Sequence, residues 1–159
     1  MMDFASSLAA LKTGRDLARG KRLFSEVGCA QCHRVGLEGG VVGPDLTAVG
    51  ARFDARALLE SAIEPSKVVA EPYRNVAITT KAGLIYEGRI VGEDDKTVIL
   101  ATNPVDPDDR RRVTKAQIES QRVSEISSMP EGLLNTMERD EVLDLLAWLL
   151  SGGATGLLR

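Results

Sequence analysis

Cys29-Ala30-Gln31-Cys32-His33 is a C-x-x-C-H run that holds both cysteines and the only histidine of the chain. This spacing is the signature of covalent c-type haem attachment. Each cysteine sulfur can add to one haem vinyl group, giving two thioether links. The two-residue gap lets both sulfurs reach vinyls on neighbouring pyrroles. The imidazole next in line is then carried over the macrocycle, where it can ligate iron. Three other chemistries compete. The two thiols could be ordinary buried side chains. A redox disulfide gives the adjacent histidine no role and expects a βαβ setting, which the flanking residues lack. A structural zinc site usually takes four Cys or His ligands, whereas the chain has three such residues in all. Haem attachment alone uses every reactive residue of the run. It leaves no sulfur for a structural disulfide, so the core and the haem must hold the fold.

A six-coordinate haem iron needs a second axial ligand, and there is no second histidine. The candidates are Met129, Met137, a lysine or water, with Met1 and Met2 poorly placed at the start of the chain. Met129 stands in Ser127-Ser128-Met129-Pro130, a loop just before the last helical region. A loop can bring a thioether over the distal face, and Pro130 stiffens the backbone there. Met137 falls at the start of a helix and has a plain alternative as core filler, an alternative that applies to Met129 as well. Met/His ligation is the usual pattern for such haems and raises the reduction potential, because the soft thioether favours Fe(II). Met129 is therefore the expected ligand.

These residues need a scaffold. At 159 residues, 43% of them hydrophobic, the chain is long enough for one domain with a normal core. A formal charge of −3, with both signs spread along the chain, argues against a general binder of nucleic acid or anionic membranes. No stretch is long and apolar enough to span a bilayer. Residues 1–11 have no basic start and no uninterrupted apolar run, so they do not read as a signal peptide. Covalent haem attachment normally follows export, so the expectation is a mature or excised piece of an exported, periplasmic or otherwise extracytoplasmic protein.

Phe4, Leu8 and Leu11 have helical spacing and suggest a leading helix or extension within residues 1–12. Thr13 and Asp16 resemble a loose capping box opening a helix over residues 15–27. On this helix Leu17, Lys21 and Phe24 share one side, and Gly20 on that side admits another helix. Gly28 stops it. Residues 36–42 read as a flexible loop, and Gly43-Pro44-Asp45-Leu46 as a turn. Asp54 can cap a helix through Ile63 with Leu58, Leu59 and Ala62 inward, ended by Pro65. From Tyr73 the period changes to that of strands. Residues 73–80, 84–91, 97–101, 111–114 and 121–123 read as five short strands, enough for a small curled sheet or an open barrel. Helix returns after Pro130, with Asn135 and Glu138 as a capping box. There Val142, Leu145, Leu146 and Leu149 lie on one side with Trp148 beside them, and Gly152 and Gly153 end the helix.

The order Gly20-x-x-Leu23-Phe24, Cys29-x-x-Cys32-His33, Gly43-Pro44-Asp45-Leu46, Met129-Pro130 and a final helix with Trp148 resembles class I cytochrome c. The resemblance implies that the carbonyl of Pro44 accepts from the other ring nitrogen of His33 and fixes its tautomer. It also implies that the first and last helices cross at Gly20, Phe24 and Trp148, with Trp148 in place of the more usual Tyr or Phe. A narrower resemblance rests on Ala30-Gln31-Cys32-His33-Arg34-Val35, Val42-Gly43-Pro44-Asp45-Leu46, Glu64-Pro65-Ser66 and Ser128-Met129-Pro130-Glu131-Gly132-Leu133. These segments look like a haem-binding domain found in planctomycete and verrucomicrobial proteins, and the similarity runs from Thr13 to Leu150. It implies an electron-accepting module fused to, or partnered with, an oxidoreductase.

The expected architecture is a mainly α cytochrome c fold over residues 1–159 with an inserted antiparallel sheet or barrel-like element over residues 73–123, α+β overall. The expected function is electron transfer through one covalent haem c, without substrate turnover by the domain itself. Cys29, Cys32, His33, Pro44 and Met129 form the cofactor site, with His33 and Met129 on the iron. The expected partner is a redox protein, either a dehydrogenase or another electron carrier, with no nucleic acid. A haem-based gas or redox sensor, or a haem enzyme with a displaceable Met129, is the competing reading. The strand-rich segment loosely resembles Sm-like or SH3-like barrels, but fold analogy says little about function. The basic run Arg110–Arg112 is offset by Asp106, Asp108 and Asp109. Covering a haem edge or docking a partner is the expected role of the insertion.

Overall fold

The computed structural model describes Leu11, residues 13–104, Asp106 and residues 108–154. Phe4 and Leu8, on which the leading helix rests, lie outside them. The chain divides into two compact units, one formed by the chain up to Pro65 and from Pro130 onward, the other by Ser66–Met129.

The first unit is helical. Helix α1 spans Leu17–Glu26 and starts later than the sequence pattern suggests. Its cap is Asp16 alone, whose carboxylate accepts from the Arg19 N–H at 2.9 Å. This satisfies one of the donors left open at a helix start. Leu17, Gly20, Leu23 and Phe24 form its buried face. The single-turn helix α2, Cys29–Cys32, follows directly. Gly28 joins the two at φ +89°, a left-handed conformation that glycine adopts at little cost. Residues 34–39 are not a plain loop. Strands β1 (Arg34–Val35) and β2 (Glu38–Gly39) pair as a tight hairpin, Arg34 opposite Gly39. Helix α3, Ala55–Ile63, is capped as expected by Asp54, which accepts from the Ala57 N–H at 2.8 Å.

Helix α4 spans Arg139–Leu150. The capping pair lies three residues beyond the expected one, with the Glu138 N–H donating to the Glu141 carboxylate at 2.8 Å; residues 131–136 form turns instead. Every residue from Val142 to Leu149 is buried, so α4 is the central rod of this unit rather than an amphipathic surface helix. Its closest neighbour is α1. A Cβ added to Gly20 would strike the Asp144 carbonyl and come within 2.7 Å of the Trp148 Cβ, so only glycine permits this approach. Phe24 and Trp148 stack with centroids 5.1 Å apart at 53°, within the favoured range for aromatic pairs. Asp144 is only 1% exposed. The Arg19 Nε donates to it at 2.6 Å and the Asp16 N–H at 3.2 Å, with Arg15 at 3.5 Å.

The second unit is a five-stranded antiparallel sheet in the order β6-β5-β4-β3-β7. Its strands are β3 (Val76–Thr80), β4 (Ile85–Glu93), β5 (Thr97–Ala101), β6 (Arg110–Thr114) and β7 (Ile118–Val123). All five expected strands are present, with shifted ends for four of them; β5 coincides. Strands β6 and β7 form the two edges. Val76, Ile78, Val98, Leu100 and Val113 make its core, flanked by Tyr86, Ile90 and Ile118. Along β5 the alternation is direct: Val98 and Leu100 face in, while Thr97, Ile99 and Ala101 are half-buried, as period two requires. Register shifts between Ile90 and Gly92 and between Thr79 and Thr80 bend β4 and β3.

Candidate haem attachment site

Helix α2 sets both thiols on one short turn. Cys29 packs against the core of the first unit, and burial pushes its thiol up to about 11. Burial also raises Cys32. Both are therefore neutral thiols near pH 7, unlike the depressed thiolates of redox C-x-x-C motifs. Among the described residues, no group of three or more His, Cys, Asp or Glu side chains is arranged to hold a metal ion.

His33 leaves α2 in extended conformation, its N–H bonded to the Cys29 carbonyl at 2.9 Å. Its Nδ1 lies 2.8 Å from the Pro44 carbonyl oxygen. A carbonyl only accepts, so Nδ1 carries a proton, and in the neutral ring the lone pair is on Nε2. No hydrogen bond is made to Nε2 among the described residues. The neighbouring segment closes tightly on this ring. The Gly43 N–H donates to the Cys32 carbonyl at 2.7 Å and the Leu46 N–H to the Arg34 carbonyl at 2.8 Å. A Cβ on Gly43 would sit 2.7 Å from His33 Cε1 and 2.9 Å from Nδ1. Glycine is required there for contact with the imidazole, a reason that the turn reading of Gly43-Pro44 did not include.

Cys29, Cys32, His33 and Pro44 are thus brought together within the first unit. Met129 is described at the end of the second unit, half-buried, its N–H donating to Ser127 Oγ at 3.1 Å. The Ser127 N–H in turn donates to Ser66 Oγ at 3.1 Å. Met137 packs against the core of the first unit, in keeping with its plain role as filler. Asp45, in the same turn as Pro44, gathers several donors. Its Oδ1 accepts from the Thr47 N–H at 2.8 Å and from the Thr47 hydroxyl at 2.6 Å, while Arg34 Nη2 donates to Oδ2 at 2.9 Å. Those Thr47 bonds, foremost the hydroxyl, together with Arg34, lower the carboxyl to about 2. The Asp-x-Thr spacing is the signal that could have revealed this turn, because Asp side chains bond backbone two residues on.

The donor set suits a covalently tethered haem: two neutral thiols on one turn, and an imidazole anchored through one nitrogen with the other available. The cytochrome c family model matches residues 17–95, just under half of the chain. The group that this family binds is covalently attached haem c. No curated protein matches the chain. Among the described residues, no helix is long and apolar enough to cross a membrane.

Proposed function

We propose that the chain is an electron-transfer module in which Cys29 and Cys32 tether one haem, His33 is its proximal ligand and Met129 its distal ligand. Bound haem supplies a one-electron carrier, its iron passing between Fe(III) and Fe(II). The residues of the chain do the rest. The two thiols fix the macrocycle covalently, and His33 presents Nε2. Pro44 holds the Nδ1 proton, which sets the tautomer and raises the basicity of the ligand. The observation that carries this reading is the Nδ1–carbonyl bond at 2.8 Å, directly after a C-x-x-C turn. The Met129 assignment is supported by its place in the Met-Pro loop and by the usual ligand pattern.

The domain is read as one cytochrome c interrupted by a β insertion, residues 73–123, that covers a haem edge or meets the partner. That partner is a dehydrogenase or another electron carrier, fused or separate. Thioether formation follows export, so the module works outside the cytoplasm. The test is to produce the protein with a haem-maturation system and extract it with acid–acetone. Haem should stay on the denatured chain, and the oxidised protein should show the weak Met–Fe(III) charge-transfer absorption, lost in Met129→Ala. Haem that extracts freely would refute attachment. An unchanged spectrum in Met129→Ala would refute the distal ligand, and rapid CO binding with Met129 still in place would favour the sensor reading.

A further inference from the structure

We infer that Asp45 is a positioning residue for the proximal imidazole: it locks the peptide plane whose carbonyl, from Pro44, holds the Nδ1 proton of His33. The inference rests on His33 being the iron ligand.

The proline ring fixes φ of Pro44 but leaves ψ free, and ψ aims the carbonyl. The far end of that peptide plane is Asp45, so whatever holds Asp45 aims the Pro44 oxygen. Asp45 is held from three sides. Its Oδ1 takes both donors of Thr47, at 2.8 and 2.6 Å. Its Oδ2 takes Nη2 and Nε of Arg34, at 2.9 and 3.2 Å. Its own carbonyl accepts from Arg52 Nη2 at 3.2 Å. Thr47 is tied in turn to the β1–β2 hairpin, where the Gly36 N–H donates to Thr47 Oγ1 at 2.8 Å.

The arrangement is specific because Arg34 is the residue directly after His33. The Arg34–Asp45 pair therefore joins the neighbour of the donor to the neighbour of the acceptor. The two backbone bonds on either side, Gly43 to Cys32 and Leu46 to Arg34, set the distance between the segments. Neither bond is made by the Pro44–Asp45 peptide itself, so they leave the rotation of that plane to the contacts of Asp45. A surface ion pair of this kind adds little stability. Its effect is expected instead in how strongly Nδ1–H is bound, and through that in the donor strength of Nε2.

The experiment uses the haem-loaded protein labelled with ¹⁵N-histidine, where the single histidine gives one imidazole. Solvent exchange of the Nδ1 proton and the reduction potential are read for native protein, Asp45→Ala, Asp45→Asn and Thr47→Val. In Asp45→Ala, Nδ1–H exchange should rise roughly tenfold, the factor for losing about one hydrogen bond's support. The potential should move upward, because a less basic imidazole stabilises Fe(III) less. Asp45→Asn keeps an acceptor for Thr47 and should fall between, and Thr47→Val should move the same way. Asp54→Ala removes a comparable carboxylate cap from α3 and should leave both readings native while lowering stability. Native exchange and potential in Asp45→Ala would overturn the inference alone, as would an equal shift in Asp54→Ala. An imidazole without the hyperfine shift of an iron ligand would overturn the reading of His33, and the inference with it.

Discussion

In the helical unit the decisive contacts are close approaches of backbone to backbone or of backbone to a ring. Gly20 sits against the Asp144 carbonyl, and Gly43 against the imidazole of His33. A charged side chain, Asp144, is buried between the helices with its arginines. In the sheet unit the core is five alternating aliphatic residues, with the buried Thr80 hydroxyl bonded to the Leu84 backbone and Arg111 stacked over Tyr86 at 5.2 Å. The helical unit thus has positions where one residue type alone fits, at the α1–α4 crossing and against the imidazole of His33. The sheet unit has such a position too, Gly88 on β4, where a Cβ would strike the Ala101 carbonyl, but its core is otherwise made by aliphatic side chains. The C-x-x-C-H run and Pro44 lie in the first unit, while Met129 is the last residue of the second.

The largest effect that would test this contrast is at Trp148, which is 3% exposed. Trp148→Ala should cost about 3–5 kcal/mol, read as a lowered midpoint in helical circular dichroism during denaturation. Its indole Nε1 has no hydrogen-bond partner among the described residues, so Trp148 acts through packing. Trp148→Phe keeps the aromatic contact with Phe24 and should therefore cost clearly less than Trp148→Ala. A Phe variant as damaged as the Ala variant would show that the nitrogen matters. In the sheet, Leu100→Ala should cost about 2–5 kcal/mol, measured by hydrogen exchange of the β5 amides, whereas Leu100→Ile should be mild. If Leu100→Ile were as severe as Leu100→Ala, the sheet core would be as exacting as the helical one.

Much of this was legible in the chain itself. Gly20 announced a close helix contact because a lone glycine on an apolar face has few other uses. Strand β5 coincided with its expected limits because alternating Val98 and Leu100 are bounded by turn residues on both sides. The hairpin at residues 34–39 was missed because its glycines look like a loop, and Leu37 at its tip is 99% exposed, which erases the alternation. The burial of α4 on all sides was missed for a different reason. Asp144 looks like a solvent-facing position until Arg19, 125 residues away in sequence, is placed beside it. Long-range charge pairing leaves no periodic trace. For the candidate site, C-x-x-C-H and Pro44 were visible as motif and resemblance. The Asp45 clamp was hidden because each of its bonds is a local turn contact until Arg34 joins it across the loop.

A smaller effect separates shape from chemistry at the site itself. Gly43→Ala adds one methyl group that meets the imidazole at 2.7 Å. It should cost about 1–3 kcal/mol as overpacking, and the ¹⁵N shift of His33 should show a weakened Nδ1 hydrogen bond. Gly83→Ala, in the β3–β4 turn, meets nothing within 4 Å but has φ +80°. Its cost should arise from backbone strain alone, with the His33 signal unchanged. A shift of His33 in Gly83→Ala, or none in Gly43→Ala, would contradict the placement of the exacting contacts around the imidazole.

The smallest effect compares two similar turns, one in each unit. Asp94 Oδ1 accepts from the Lys96 and Thr97 N–H groups at 2.8 and 2.7 Å, and these bonds lower its carboxyl. Asp45 has the same kind of backbone donor but adds the Thr47 hydroxyl and the Arg34 guanidinium, which together bring it to about 2. Both groups sit below the ordinary value of 3.8. The stability that each lends is therefore present above that value and lost as pH falls through its own folded value. On acidification the Asp94 turn should release first and the Asp45 clamp last, near pH 2. Carboxyl ¹³C titrations of the two residues read this order directly. In Arg34→Gln the guanidinium is gone, and Asp45 should titrate closer to Asp94. If the two titrate together in the native protein, the clamp is an ordinary turn, and the helical unit loses one of the features that set it apart from the sheet.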